Sequence, residues 1–371
     1  MKGNITRRGK NSWRIKFDIE GSPGKRETRF VTVRGTKREA QVEAAKLIAA
    51  ASRGEYVEPS KITVAEFVRA RVDQWEAAGD ITARTAKRYR QLVENQIAAH
   101  LGVKLLQKLT RLDVEGWHTA LRTGGLAPRT IGHAHRVLGK ALRDAERDDL
   151  VTRNVCKLQA APRVGESEMA IVRDVPGFVA KLHGFRLYVA ALVALLTGMR
   201  LGEVLALRWC RIDLDRKRLE VREALEPAKG GVKFKRPKTK AGRRDITLPD
   251  ILVGALREYR REQLELRMQL GLGRLPDDAL LFTQLDGSPF NPSNISSDWG
   301  TFAEQIGMPE ITFHGLRHTH ASQLISHGVD IVTISKRLGH AKPSVTLAIY
   351  AHMFTSDDSK AAAAINAALS G

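Results

Sequence analysis

The stretch from residue 312 to residue 352 constrains the fold most, because its turn-forming residues divide it into three short helices. Gly328 and Gly339 are typical of the position just after a helix end, where the backbone turns left-handed. Asp330 and Ser344 are typical of N-caps, and each precedes a new helical run. The pattern therefore predicts three helices whose short connections let them fold on one another.

Four side chains in this stretch can bind an anion or move a proton. His314 and Arg317 are three residues apart and share one face of a helix. His340 follows the second glycine, and Tyr350 lies near the end of the third helix. Each of them alone is more often structural. Together they predict a site at which two imidazoles, a guanidinium and a phenol converge on one small anion.

The charge of the whole chain agrees with an anionic partner. Its 371 residues include 61 lysines and arginines against 41 aspartates and glutamates, which gives a net charge of +20. An excess of this size favours a polyanion, most simply nucleic acid. A merely soluble, charged surface is the alternative.

The sequence predicts neither secretion nor a membrane span. No apolar run follows the N-terminal charges. The most apolar stretch, residues 187–196, is about half the length that a bilayer requires and is expected to be a buried core helix. Cys156 and Cys210 have no metal-ligand spacing and are expected to be reduced core thiols. We therefore expect a cytoplasmic protein.

Periodicity and linkers predict a mainly α protein with small β-sheets, an α+β fold in three domains. Residues 1–55 form a small module of a β-hairpin and a helix, with a thin core. Residues 60–158 form a helical bundle, which starts at a capping box in the sequence TVAE. Residues 165–371 form a mixed α/β domain.

The individual elements follow from helical periodicity, from strand-like alternation and from the turns between them. In the first domain we predict two strands and a helix, at residues 12–19, 27–33 and 36–51. In the second we predict four helices, at residues 64–76, 82–98, 111–121 and 128–148. In the third, before residue 312, we predict strands at residues 218–224, 232–236, 244–248 and 279–283, and helices at residues 185–197, 201–209, 250–270 and 293–306.

Basic residues cluster in each domain, and DNA contact is the functional interpretation. In the first domain they lie on the hairpin. In the second they lie on exposed helix faces, and Arg84 and Arg129 are at helix starts, where backbone amides already favour phosphate. In the third they lie on a turn at residues 237–244. A solvated charge or a plain N-cap is the alternative at every one of these sites. We predict DNA contacts from Arg7, Arg8, Lys10, Arg84, Lys87, Arg88, Arg129, Lys240, Arg243 and Arg244.

The segment TGMRLGE, at residues 197–203, predicts a second anion-binding element. Gly198 ends one helix, so Arg200 lies at the start of the next, where its guanidinium can bind two phosphate oxygens. Glu203 can hold that guanidinium in place. An Arg–Glu pair on a helix surface is the alternative, but the apolar flanking residues favour a partly buried pair.

These motifs, in this order, resemble the tyrosine recombinase (phage integrase) family, of the type with an arm-binding domain. The resemblance rests on TGMRLGE, on PKTKAGRR at residues 237–244, on HGLRH at residues 314–318, on LGH at residues 338–340 and on LAIYAH around Tyr350. It covers the third domain. The first domain resembles the family's arm-site-binding domain, and the second resembles its core-type DNA-binding domain.

The resemblance implies a site-specific recombinase that integrates or excises a phage or mobile genetic element. Tyr350 would attack a DNA phosphate, form a 3′-phosphotyrosine and release a 5′-hydroxyl. Arg200 and Arg317 would bind the non-bridging oxygens. Lys238 would donate a proton to the 5′-oxygen, with Lys240 as the alternative lysine.

The resemblance also implies supporting residues and partners. His314 and His340 would hydrogen-bond the phosphate and manage the tyrosine proton, and Glu203 and His318 would support them. No metal and no cofactor are expected. The partners would be double-stranded DNA at attachment sites, further copies of the chain in a tetramer, an excision factor and a host DNA-bending protein.

Two other functions remain open from the sequence. One is a Xer-like resolvase of chromosome or plasmid dimers, against which the first domain argues, because that role needs only two domains. The other is a DNA-binding regulator without catalysis. A regulator would explain the charge and the helices, but not the ordered set of a tyrosine and four basic side chains.

Overall fold

Two units make up the chain, residues 1–166 and residues 167–371. The computed structural model describes residues 3–20, 26–53, 56–165, 169–228, 230–237, 240–353 and 358–369. Helices form most of it and the sheets are small, so the predicted fold class is confirmed. The division into three domains stays a prediction, since the first unit spans the first two of them.

The first unit begins with a three-stranded antiparallel sheet in the order β1-β2-β3. Its strands are β1 (Gly3–Gly9), β2 (Ser12–Glu20) and β3 (Arg26–Arg34), and helix α1 (Lys37–Ser52) follows. Ile15 and Phe17 are fully buried in the core that the sheet forms with α1. Thr36 and Glu39 form the capping box that starts α1. The sequence patterns missed β1 because Ile5 is its one large apolar residue and most of its other residues are exposed.

The rest of the first unit is a helical bundle. Its helices are α2 (Val64–Ala77), α3 (Ala83–Leu92), α4 (Ala99–Leu101), α5 (Arg111–Thr123) and α6 (Pro128–Arg147), with a π-helical turn at Val93–Ala98 and 3-10 turns at Leu106–Lys108 and Val155–Leu158. The four predicted helices are therefore confirmed, with a π-helical turn inside the second. His118 of α5 and His135 of α6 form a buried pair, with Nε2 of the first 3.1 Å from Nδ1 of the second.

The second unit is built around an apolar helix, α8. The helices are α7 (Val175–Leu182), α8 (Tyr188–Thr197), α9 (Leu201–Leu205), α10 (Asp250–Gln269), α11 (Pro292–Gln305), α12 (Phe313–Ser326), α13 (Ile331–Leu338), α14 (Pro343–Tyr350) and α15 (Asp358–Leu369). The strands are β4 (Ile212–Asp213), β5 (Arg218–Val221), β6 (Ala224–Ala228), β7 (Gly231–Lys235) and β8 (Arg244–Thr247). One sheet has the order β4-β5-β8, and β6 pairs with β7 as a hairpin. Residues 189–195 of α8 are buried, as predicted.

Several elements of the second unit differ from the predictions. Helix α9 ends at Leu205 instead of residue 209, and strands β4 and β6 were not predicted. Residues 279–283 form two isolated bridges, between Leu280 and Arg208 and between Thr283 and Pro289, instead of a strand. Helix α7 was missed because it is eight residues long, includes a proline and a glycine, and buries only Phe178 and Leu182. Short elements of this kind give too few repeats for periodicity to be read.

The three helices predicted after residue 312 are confirmed as α12, α13 and α14. Asp330 caps α13, since its side chain accepts from the backbone N–H groups of the next turn. The prediction for Ser344 is wrong, because the N-cap of α14 is Lys342. Pro343 occupies the first helical position, which its fixed φ favours. The helix therefore begins two residues earlier in the chain than predicted.

Two expectations about the whole chain can be compared with the structure. Within the described part of the chain, no helix combines the length and the hydropathy that crossing a membrane requires. Cys156 is buried, as expected, whereas Cys210 is exposed. The second cysteine is therefore not a core thiol.

Candidate active site

Two glycines in the left-handed conformation form the corners of the site. Gly198 ends α8 with φ 70° and Gly339 ends α13 with φ 70°. A Cβ on Gly198 would lie 2.7 Å from Cδ2 of His320 and 2.7 Å from Cδ2 of Leu338. Only glycine fits there, because it tolerates the positive φ and leaves room for α12 and α13 to approach the end of α8.

Arg317 lies at the centre of the site and is buried, with 2% of its surface exposed. Its Nη1 donates to the carbonyl of Gly198 at 2.6 Å, and its Nη2 donates to Nε2 of His340 at 2.8 Å. Burial, followed by the charge of Arg200, lowers the pKa of Arg317 to about 9. Among the carboxylates that the structure describes, none is within ion-pair distance of this guanidinium. Arg317 is therefore a buried cation that has no ion pair with any described carboxylate and feels the charge of Glu203 only from a distance.

Glu203 joins the start of α9 to strand β8. Its Oε2 accepts from the backbone N–H of Arg200 at 3.0 Å, and its Oε1 accepts from Nη1 of Arg200 at 3.0 Å. Nη2 of Arg244 donates to the same carboxylate at 2.9 Å. Burial alone would raise the pKa of Glu203, but Arg244 and Arg200 hold it below its usual value. Arg200 keeps 43% of its side chain exposed, so its guanidinium can still meet a substrate.

The position of Arg244 corrects one prediction. The basic turn predicts a DNA contact for it, yet it is 8% exposed. Its guanidinium donates to Glu203 and, through Nε, to the carbonyl of Arg337 at 2.6 Å. With these internal partners it has no free face for a phosphate. Arg244 instead connects the loop that carries Arg200 to the helix end that precedes His340.

His340 is held in one tautomer by its two neighbours. A guanidinium has only donors, so Nε2 of His340 accepts from Arg317. The neutral ring therefore carries its proton on Nδ1, which donates to Oγ1 of Thr346 at 2.7 Å. Burial and the charges of Arg317 and Arg200 lower the pKa of His340 to about 4. The ring is neutral at pH 7, and a contact to phosphate requires it to exchange its present partner.

Tyr350 is enclosed, with 1% of its surface exposed. Its hydroxyl lies 2.7 Å from Nδ1 of His318. Burial raises the pKa of Tyr350 to about 12, while the positive charge of Arg317 acts in the opposite direction. The phenol is thus protonated at neutral pH and already paired with an imidazole.

His314 and His318 are neighbours on one face of α12. Their rings meet edge to face with centroids 4.8 Å apart. Part of His314 is exposed to solvent, and its pKa is lowered to about 4 by burial of the rest of the ring, then by His318, Arg317 and Arg200. His318 is half-buried, and burial and Arg317 lower its pKa as well. Both rings are neutral at pH 7 and able to accept a proton.

The other predicted site residues fall into two groups. Lys238 and the side chain of Lys240 lie outside the described residues. A cavity of about 490 Å³ opens beside Arg200 and His340, and Lys235 and Arg236 of the adjoining hairpin line it. The remaining predicted DNA contacts are exposed, and their role stays a prediction: Arg7, Arg8, Lys10, Arg84, Lys87, Arg88, Arg129 and Arg243.

Three residues of the site were missed by the sequence patterns. Oγ1 of Thr346 accepts the hydrogen bond from Nδ1 of His340. Nε of Arg337 donates to Nε2 of His320 at 3.0 Å. His320 in turn donates from Nδ1 to the carbonyl of Leu195 at 2.9 Å. A weak signal existed, since His320 is one helical turn after Arg317 and Thr346 is one turn before Tyr350. His320 and Arg337 fix α12 and α13 against the end of α8.

Comparison with known proteins agrees with this geometry. Residues 171–356 match the model of the phage integrase family. A protein named tyrosine recombinase XerC-like, from Caldanaerobacter subterraneus subsp. tengcongensis, is 25% identical over 98% of this chain and 98% of its own. The ICEBs1 integrase of Bacillus subtilis is 26% identical over 71% of this chain and 73% of its own.

A solved structure shares the fold. It is the Tn1549 transposon integrase in complex with a circular intermediate DNA, at a TM-score of 0.69 and 20% identity, covering 83% of this chain and 99% of that one. The family model spans the whole of the site, from before Arg200 to after Tyr350. The chain therefore belongs to the phage integrase family of tyrosine recombinases.

Proposed function

We propose that this protein cuts and rejoins DNA at specific sites through a 3′-phosphotyrosine on Tyr350, and so integrates and excises a phage or other mobile element in a bacterial cell. The observation that carries the proposal is Arg317, a buried cation without a carboxylate partner among the described residues. Burying an uncompensated charge is costly. A phosphate bound between Arg317 and the partly exposed Arg200 compensates it.

The two arginines stabilise charge during the reaction. As the phenol attacks, negative charge grows on the non-bridging oxygens of the five-coordinate phosphorus. Donors that are fixed before the reaction stabilise this charge without reorganising. Arg317 is fixed by Gly198 and His340, and Arg200 is fixed by Glu203.

In the covalent step one phosphate ester bond is exchanged for another, so the number of ester bonds on phosphorus does not change. A bond forms between Oη of Tyr350 and phosphorus, and the bond between phosphorus and the 5′-oxygen breaks. The proton of Oη passes to a histidine of the site, and the 5′-oxygen takes a proton from Lys238, with Lys240 as the alternative donor. A 5′-hydroxyl from the second DNA then attacks the phosphotyrosine and reseals the strand, without an external energy source.

Recombination of two duplexes requires four strand cleavages. Each copy of the chain supplies one Tyr350, so we propose that four copies assemble on two attachment sites. The net charge of +20 supports tight, salt-sensitive contact with DNA. An excision factor and a host DNA-bending protein belong to the same proposal as aids to this assembly.

A nicked suicide substrate tests the proposal. The core site is first mapped by footprinting the protein on the DNA that flanks its gene. The native protein is expected to form a covalent protein–DNA band on a denaturing gel, and Tyr350→Phe is expected to form none while binding equally well. A native protein that binds the site and never forms the band is the non-catalytic regulator instead.

A second experiment separates an integrase from a resolvase. The relative named XerC-like matches along 98% of this chain, so the presence of the first domain does not separate the two functions by itself. Deletion of residues 1–55 from an integrase is expected to abolish arm-site binding and recombination while core-site cleavage persists. A truncated protein that still recombines would be a resolvase.

A further inference from the structure

The nucleophile of the site already has a hydrogen-bonding partner. Oη of Tyr350 lies 2.7 Å from Nδ1 of His318. Of the two histidines to which the resemblance assigns the tyrosine proton, His340 is bonded to Arg317 and Thr346, and His314 contacts the ring of His318. Among the described residues, no hydrogen bond joins His314 to Tyr350.

The direction of this hydrogen bond follows from the chemistry of its two groups. An imidazole nitrogen is a far better acceptor than a phenolic oxygen, and a phenol is the better donor. With Tyr350 as donor, one bond satisfies the hydroxyl of a side chain that is 1% exposed. The reverse direction would require a second acceptor for the phenolic proton inside the protein. Nδ1 of His318 is therefore the unprotonated nitrogen that faces the nucleophile.

We propose that His318 is the general base of the reaction and takes the proton of Tyr350 on Nδ1 as the phenol attacks phosphorus. This inference rests on the proposed function. The proton moves from Oη to Nδ1, the new bond joins Oη to phosphorus, and the electron pair of the broken bond leaves with the 5′-oxygen. In the rejoining step, the imidazolium returns the proton to the phenolate as it leaves.

The surroundings of His318 suit this task. Burial and the adjacent Arg317 lower the pKa of His318 below its ordinary 6.5, which keeps the ring neutral and ready to accept. The groups that face it are Tyr350 from α14 and His314 and Arg317 from α12. A bound phosphate brings negative charge to the same site, and this charge stabilises the imidazolium once it forms.

Three variants on α12 separate the roles of its histidines. His318→Ala removes the base, and His318→Asn keeps a hydrogen-bonding group that cannot take the proton at neutral pH. His314→Ala, one turn earlier, is the matched control. Each is compared with the native protein by the rate of the covalent band on the nicked substrate at saturating DNA, between pH 5.5 and 9, chosen to bracket the ordinary pKa of histidine.

Both His318 variants are expected to bind DNA normally and to cleave at least about 100-fold slower, within the usual range of about 100- to 10,000-fold for a lost general base. The cleavage rate of the native protein should fall as the pH drops through the pKa of His318. His314→Ala should show the same pH dependence, even if its absolute cleavage rate differs from that of the native protein. The His318 variants should lose it, and added imidazole should accelerate His318→Ala.

A modified substrate distinguishes a lost base from a lost acid. Sulfur in place of the bridging 5′-oxygen is a better leaving group, so it should rescue Lys238→Ala or Lys240→Ala and leave both His318 variants slow. Native-like cleavage by His318→Asn, or rescue of His318→Ala by the sulfur substrate, would overturn the inference while the native band still supports the proposed function. A native protein without any band would overturn the proposed function itself.

Discussion

Two buried arginines of the site show how the same side chain serves two purposes. Arg244 faces the carboxylate of Glu203, and both side chains are 6% exposed, so its charge is compensated inside the protein. Arg317 is equally buried but is held by a carbonyl and a neutral imidazole. The first arginine therefore positions other residues, and the second is free to compensate a phosphate.

Removing Arg244 should damage cleavage more than binding. Arg244→Met leaves Glu203 as a buried charge with Arg200 as its one remaining cation, which costs about 3–5 kcal/mol of stability and lets Arg200 move. A displacement of about 1 Å can cost about 100-fold in rate. We therefore expect covalent-band formation at saturating DNA to fall by 10- to 100-fold, an order-of-magnitude range from the same argument, with little change in DNA affinity.

The matched control is its exposed neighbour Arg243. Arg243→Ala should cleave normally at saturating DNA, and its log–log slope of affinity against salt should be shallower by about 1, as for one lost phosphate contact. If Arg244→Met behaved like Arg243→Ala, then Arg244 would be a DNA contact after all.

Among the elements, the corners between helices carry the most precise geometry. Gly198→Ala should destabilise the second unit by about 2–4 kcal/mol, because it combines a left-handed alanine with a contact that is too close to His320 and Leu338. Gly328→Ala is the control, since its φ is +74° and nothing lies within 4 Å of the added Cβ. It should cost only about 1 kcal/mol. Urea denaturation of the two variants measures the difference, and equal losses would mean that the packing at Gly198 gives way easily.

The histidine pair of the bundle predicts acid sensitivity. Burial, with the neighbouring His135, lowers the pKa of His118 to about 4. The unfolded chain takes up its proton near pH 6.5, whereas the folded chain does not until near pH 4, so stability is complete above pH 6.5 and falls as the pH drops between these values. Between pH 7 and pH 5 the loss from His118 is about 2 kcal/mol.

His118→Gln should remove that loss while keeping a hydrogen-bonding side chain. Hydrogen exchange of the buried amides in α5 and α6, corrected for the intrinsic effect of pH, reports the stability of the bundle itself. The native bundle should lose about 2 kcal/mol more than the variant on moving from pH 7 to pH 5. The same loss in both proteins would show that the pair is not the acid-sensitive element.

The elements that the sequence predicted well are those bounded by clear helix-capping and helix-ending residues. Gly328, Gly339 and Asp330 mark helix ends that any chain with these residues tends to form, and α12 and α13 lie where these signals place them. The strand expected at residues 279–283 failed because a short apolar run is compatible with a strand and with a buried loop alike. Tertiary contacts decide between the two.

At the scale of the whole molecule, the ordered motifs predicted the family and the residues that meet at the site. Apart from the partly buried pair of Arg200 and Glu203, the sequence could not predict which of them are buried or paired. Arg244 is 41 residues from Glu203, and His318 is 32 residues from Tyr350. Contacts over such separations depend on how the elements pack. Arg244 is buried in a turn whose other basic residues favour exposure, and the sequence around it does not indicate that burial.

The central claim is that Tyr350 becomes linked to DNA, and mass spectrometry of the trapped complex tests it most directly. Trypsin should release Tyr350 in the peptide of residues 338–360, because the bond between Lys342 and Pro343 resists cleavage and Lys360 is the next basic residue. After nuclease digestion, we expect this peptide to carry a nucleotide on Tyr350, its one tyrosine. A nucleotide on any other residue, or a covalent complex that survives in Tyr350→Phe, would contradict the account.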